Sequence, residues 1–350
     1  MTRILRVFFA TALLVAVLFI EPVFAWTGTL GWVYNAQSPI TSSVAVAEGL
    51  VIAGDSMGSL HAVHVASGQP AWVYRGASTI AGLPSVLGDR VIFAQTDGTI
   101  TALNVANGAE IWQYAQPAES LAADTVVDGT TVGDGRVFFV RGDGRMYALS
   151  AADGKLLWTY NSTLELRSAP FFSDGVVYLG EQRGVFSAIS PENGKRGWGG
   201  GAGGAINTPT TADGNVYFSS WDGSVQSVRI KGVVPQWKAG AGKPVTTPPF
   251  VAGGRVLVGT ASGEVLSFSA ADGSVQWTFD TRGGSVAATP VLAEGLVFVG
   301  GGQGVLFVLN ATDGAPRFTF ETGGGINGTP AFSGGVLFLG SADGNLYAIR

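Results

Sequence analysis

Apolar residues in this chain come in short runs, not in a helical rhythm. The runs VIAG, VIFA, VFFV, VVYLG, VYFSS, VLVG, VFVG and LFLG recur through residues 51–340. Each is too short for a helix and rich in β-branched and aromatic side chains, so each predicts a strand. Strict apolar–polar alternation is missing. A strand covered on one face alternates, so these runs predict cover on both faces.

The runs belong to a larger unit. A turn glycine follows each one: Gly58, Gly98, Gly144, Gly184, Gly223, Gly263, Gly304 and Gly344. A second turn leads to an aromatic residue, and that series reads Trp32, Trp72, Trp112, Trp158, Trp198, Trp237, Trp277 and Phe318. Both series step by about 40 residues, the period of a four-stranded propeller blade. In the sixth repeat, strands are predicted from Thr246 to Phe250, Arg255 to Gly259 and Glu264 to Ser269, with a fourth carrying Trp277. Turns of two to four residues between them make an antiparallel meander. The aromatic side chains are wide enough to bridge to the neighbouring blade.

The ends complement each other. Thr29–Tyr34 reads as a fourth strand with no blade before it, and Leu346–Arg350 as a third strand with none after it. Their pairing would close the array, as an all-β propeller of eight four-stranded blades requires. Near each first strand stand Val44, Pro84, Thr130, Pro170, Pro209, Pro249, Pro290 and Pro330. The prolines read as protection of an inner strand edge. Trp112 and Trp158 are 46 residues apart where the other intervals run from 39 to 41. The surplus predicts a longer loop over Gln116–Asp128.

Residues 1–25 differ in kind. Arg3 and Arg6 precede the apolar run Val7–Ile20, and Val23-Phe24-Ala25 supplies the cleavage pattern. This predicts a signal peptide, 1–25, followed by one propeller domain, 26–350. The run is short for a bilayer span, so no integral membrane segment is expected after cleavage. Cysteine is absent, which excludes disulfides, thiol-held metal and a lipidated N-terminal cysteine. The expected protein is therefore exported to a periplasm or cell surface, is not a lipoprotein, and is a monomer. A formal charge of −5 argues against nucleic acid as the main partner.

Candidate chemistry is sparse. His61 and His64, three apart on one strand, point to opposite faces, which opposes a shared metal site. Asp97, Asp143, Asp222 and Asp343 each precede a turn glycine and read as hairpin-turn residues, not calcium ligands. GGGAGG at 199–204 opens no helix and lacks the context of a nucleotide loop. No cofactor, metal or catalytic residue is expected, and the chain is not expected to be an enzyme.

The unit Ala151-Ala152-Asp153-Gly154-Lys155-Leu156-Leu157-Trp158, repeated around Trp277 and at Asn310–Gly314, resembles the tryptophan motif of the pyrroloquinoline-quinone-type propeller repeat. Quinone-dependent dehydrogenases share that repeat, as does the BamB family of outer-membrane β-barrel assembly scaffolds. Length, blade count and leader are similar to the second group. The segment Leu164–Pro170 resembles the loop by which that family docks on BamA. By that resemblance Leu164, Leu166 and Arg167 would face a protein partner. The function this implies is a non-catalytic scaffold. A module for another protein or a glycan is the alternative, and a quinone-dependent dehydrogenase a third reading.

Overall fold

The computed structural model describes residues 26–115, 126–162, 164, 166, 168–201 and 203–350, with backbone alone at 126–128. The expected leader, 1–25, and Arg167 lie outside the described residues. Within them the regular secondary structure is all strand apart from one helical turn, Gln182–Gly184. No helix there is long and apolar enough to cross a membrane.

The sixth repeat sets the pattern. Phe250–Ala252, Arg255–Gly259, Glu264–Ser269 and Val275–Asp280 form one antiparallel sheet in chain order. The register runs Phe250↔Leu257, Val256↔Phe268 and Ser267↔Trp277. The second and third strands stand where the apolar pattern puts them. The first is shorter than expected and begins only after Pro248 and Pro249. Neither proline can donate to a ladder, so pairing starts at the first residue that can. The same offset follows Pro170, Pro209, Pro290 and Pro330, whose strands begin at Phe171, Thr210, Val291 and Ala331.

Two first strands are longer, Ile80–Leu87 and Val126–Gly133. Pro84 is accommodated in the first by a register shift between Ala81 and Ser85. Of the longer loop expected over 116–128, residues 116–125 lie outside the described residues, and Val126–Asp128 belong to a strand instead, with Val126 opposite Arg141. The two long strands meet in a parallel bridge at Leu83 and Gly129. Repeats 2 and 3 thereby share one eight-stranded sheet, and the others form six four-stranded sheets.

The chain ends share a sheet. Leu30–Asn35 pairs antiparallel with Asn345–Ile349, with Trp32 opposite Ala348 and Tyr34 opposite Leu346. The Thr29 N–H donates to the Arg350 carbonyl and the Arg350 N–H to the Thr29 carbonyl, each at 2.8 Å. These bonds replace the tight turn that joins third to fourth strands elsewhere. At the other edge of that sheet the Val44 N–H donates to the Thr329 carbonyl at 3.1 Å, tying the entry of the first repeat to that of the last.

Burial follows strand position. Second strands are buried almost end to end, as their unbroken apolar runs require. Fourth strands alternate between exposed and half-buried residues, because one face and one edge meet water. The core consists of apolar layers between successive sheets. Leu257 and Val265 meet Val297, Val299 and Leu309 in one such layer. Val51, Ala53 and Val63 meet Phe338, Leu346 and Ala348 in another.

The aromatic series docks each repeat on the next. The indole N–H of Trp32, Trp72, Trp112, Trp158, Trp237 and Trp277 donates to the carbonyl of Val65, Val105, Ala151, Pro191, Ala270 and Ala311 respectively, at 2.8–3.0 Å. Trp198 instead meets Phe186 and Tyr178 edge-on. Phe318 lies against Gly28 and Trp26, which directly precede Leu30–Asn35. Only Trp112 and Trp277 are more than nine-tenths buried, at 8% and 7% exposure; the rest keep an edge in solvent.

Candidate functional site

One end of the molecule gathers the turns between second and third strands with the segments that enter each repeat. Lone bridges join the two sets: Ile40↔Asp55, Leu166↔Glu181, Ile206↔Ser220 and Val245↔Thr260. The turns share a build. The residue three before the turn glycine ends the second strand or directly follows it, and its carbonyl accepts the glycine N–H in Asp55–Gly58, Gln95–Gly98 and Arg141–Gly144. In the Asp-Gly turns the carboxylate accepts the N–H two residues on, at 2.9 Å for Asp97, Asp143, Asp222 and Asp343. These acids are turn residues. Burial works to raise the Asp343 pKa, but hydrogen bonds from the Tyr347 hydroxyl and two backbone N–H groups outweigh it and hold the carboxyl below its usual value.

The expected docking residues separate. Leu164 is half-buried at the mouth of its loop, and its N–H donates to the Ser162 hydroxyl at 3.0 Å. Leu166 is 1% exposed and packs with Phe138, Val140, Leu179 and Ile189. The expectation that it faces a partner is therefore corrected. It occupies the same entry position as Ile40, Ile206 and Val245, a plug that every repeat needs between neighbouring sheets.

Side chains not singled out in the sequence carry more of this face. Trp221 is 55% exposed and Met57 72% exposed, each on such a turn. The Trp221 N–H is anchored by the Ala205 carbonyl at 3.0 Å. Arg183, exposed and at φ 62, stands on the turn of the preceding repeat, and exposed Lys243 enters the following one. Leu164, Arg183, Trp221 and Lys243 thus occupy one sector, contributed by consecutive repeats. Trp221 is legible in hindsight as a tryptophan off the register of the docking series.

Beneath the turns lies a buried polar layer. Glu181 accepts the hydroxyls of Ser162 at 2.7 Å and Ser187 at 2.6 Å. Burial first, and then the Glu181 charge, raise the pKa of Tyr160 beside it. His61 is 4% exposed, with Nε2 3.0 Å from Asp55 Oδ2 and Nδ1 3.0 Å from the Tyr34 hydroxyl. The carboxylate can only accept, so Nε2 carries a proton; in the neutral imidazole Nδ1 then accepts from the Tyr34 hydroxyl. His64 is exposed at the other end of the strand. Among the described residues no group of three or more His, Cys, Asp or Glu side chains is placed to hold a metal. Two open clefts of about 420 Å³ lie at the opposite end, one lined by Glu48, His64 and Asp89, the other by Glu192, Lys195 and Trp198.

Strand order, apolar layers between sheets and the tryptophan docks together define a PQQ-type propeller repeat protein. The family model described as outer membrane protein assembly factor BamB matches residues 120–234, 235–289 and 282–350, and the chain belongs to that family. Among solved structures it is similar to BamB from Moraxella catarrhalis, at 19% identity and TM-score 0.80, covering 93% of this chain and all of that one. The computationally designed Ika8 protein is similar at 18% identity and TM-score 0.80, with the same coverage. Quinohemoprotein alcohol dehydrogenase from Comamonas testosteroni shares the fold at 13% identity and TM-score 0.74, over 91% of this chain and 76% of that one. No curated protein sequence matches the chain.

Proposed function

We propose that this chain is an exported, monomeric, non-catalytic propeller of eight blades, closed by the pairing of Leu30–Asn35 with Asn345–Ile349. In this reading it is a scaffold that holds another protein at its turn face, in the manner of an outer-membrane assembly factor. The observation that carries the reading is Trp221, an indole 55% exposed on a backbone-anchored turn. Exposed tryptophan and arginine are characteristic of interface anchors, and Arg183, Lys243 and Leu164 stand at the same end of the fold as Trp221. Family membership supports a β-barrel assembly protein such as BamA as the partner, and the leader sequence supports export.

Site-specific photo-crosslinkers at positions 164 and 221, used in cells, test this. Recovery of a β-barrel assembly protein at both positions supports the scaffold. A folded protein that captures no protein from either position overturns it. The second reading, a module for a glycan, draws on Trp221 next to Asp222, since a flat indole beside a carboxylate suits a sugar ring. Crosslinks to polysaccharide alone would favour that reading.

A further inference from the structure

The position three before the turn glycine, at or directly after the end of the second strand, carries a large polar side chain in four consecutive repeats: Asp55, Gln95, Arg141 and Glu181. All four are buried, at 2%, 1%, 1% and 4% exposure. Three have partners. Asp55 accepts from His61 and from the Met57 and Ser59 N–H groups. Gln95 donates to the Ser78 carbonyl. Glu181 accepts two serine hydroxyls. Arg141 differs: its Nε and both Nη atoms have no hydrogen-bond partner among the described residues.

The acid next to it does not answer that charge. Asp143 is engaged by the Tyr147 hydroxyl at 2.6 Å and the Arg145 N–H at 2.9 Å. The guanidinium lies face-on to Gly98, where a Cβ atom would stand 2.8 Å from Nη2, 2.9 Å from Cζ and 3.0 Å from Nη1. Any side chain at position 98 would fill that space. The in-plane N–H fork is therefore directed past the glycine instead of at it. Gly142 and Asp143, directly after Arg141, are exposed, so the group lies one residue beneath the surface.

A buried guanidinium keeps its charge at any ordinary pH and needs a counter-charge more than any neutral group does. Its fork matches a planar oxyanion in a bidentate pair. Asp143 on the same turn disfavours a doubly charged anion. We infer that Arg141 is the receptor of a carboxylate-binding site at the turn end of repeats 2 and 3. The carboxylate belongs either to a small free acid or to an acidic side chain of a bound protein. This does not depend on the scaffold reading.

The test uses purified protein and its thermal midpoint at constant ionic strength, with sodium acetate or acetyl-aspartate amide replacing sodium chloride. The expected result is a saturable rise in midpoint that is lost in Arg141→Met and kept in Arg136→Met. A larger response to acetate assigns the site to a free acid, and a larger response to the aspartyl amide to a protein side chain; both uphold the site. A wild-type midpoint indifferent to both, or an equal rise in Arg141→Met, overturns it. If Arg141→Met does not fold, Arg141→Lys decides: it keeps the charge and loses the planar fork, so the midpoint response to carboxylate must fall, and a full response there overturns the inference.

Discussion

Trp277 lays its indole across Gly314 of the next repeat and donates Nε1–H to the Ala311 carbonyl at 2.9 Å. A methyl group on Gly314 would stand 2.7 Å from the ring, and the backbone there is at φ 72. Ring and glycine are thus two halves of one joint between sheets. Trp277→Ala removes a buried aromatic side chain and should cost about 3–5 kcal/mol in chemical denaturation. Trp237→Ala, whose ring is only half-buried, should cost less. Equal losses at both positions would contradict the burial difference.

Tyr34, on the strand that closes the last sheet, reaches His61 in the first repeat. Tyr34→Phe leaves His61 Nδ1 buried without its donor, so it should cost about 1–3 kcal/mol. His61→Phe combined with Tyr34→Phe removes both ends of that bond. The double change should cost less than the sum of the singles, measured as a double-mutant cycle.

Alkaline pH should weaken the fold through its tyrosines. Burial, with Asp174 as a second cause, pushes the Tyr178 hydroxyl up to about 12, and burial likewise raises Tyr34, Tyr114 and Tyr160. Unfolded tyrosine loses its proton near pH 10. Above that pH the unfolded chain binds fewer protons than the folded one, so stability falls as pH rises. The contribution is complete below about pH 10 and is lost towards about pH 12. The Tyr178 hydroxyl has no hydrogen-bond partner among the described residues. Tyr178→Phe should leave the denaturation midpoint at pH 7 unchanged or higher, and make its fall above pH 10 shallower.

Asn35 and Asn345 face each other across the closing pair, their side chains joined by a 2.9 Å hydrogen bond although 310 residues apart. Because the chain has no cysteine, Asn35→Cys with Asn345→Cys should yield a single disulfide under oxidation. It is read as faster migration in a non-reducing gel and a raised unfolding midpoint. Failure to form it in folded protein would place the two strands out of register.

The architecture was legible because its signals repeat. Apolar runs, turn glycines and aromatic residues each recur in every unit, so the strands from Arg255 to Gly259 and Glu264 to Ser269 could be read residue by residue. Strand starts were less legible: prolines delayed pairing by a residue or more, and Val126–Asp128 lengthened a strand where a loop was expected. The site was least legible. Leu166 sits in a motif-like segment, yet its apolar character serves the same plug as Ile40 and Val245. Arg141 and Glu181 occupy one repeat position with opposite charges, and nothing short of aligning the repeats on their glycines brings them together. Trp221 lay off the docking register, so periodicity passed over it.

Asn35 is made 310 residues before Asn345, its partner across the sheet. Until then Leu30–Asn35 has no ladder partner, and its row of amide and carbonyl groups waits for a sequence not yet made. A growing chain of this kind can stack its middle repeats early, but this joint waits until Asn345–Ile349 has been made. The interval between those events is when the molecule most needs shelter from other unpaired edges.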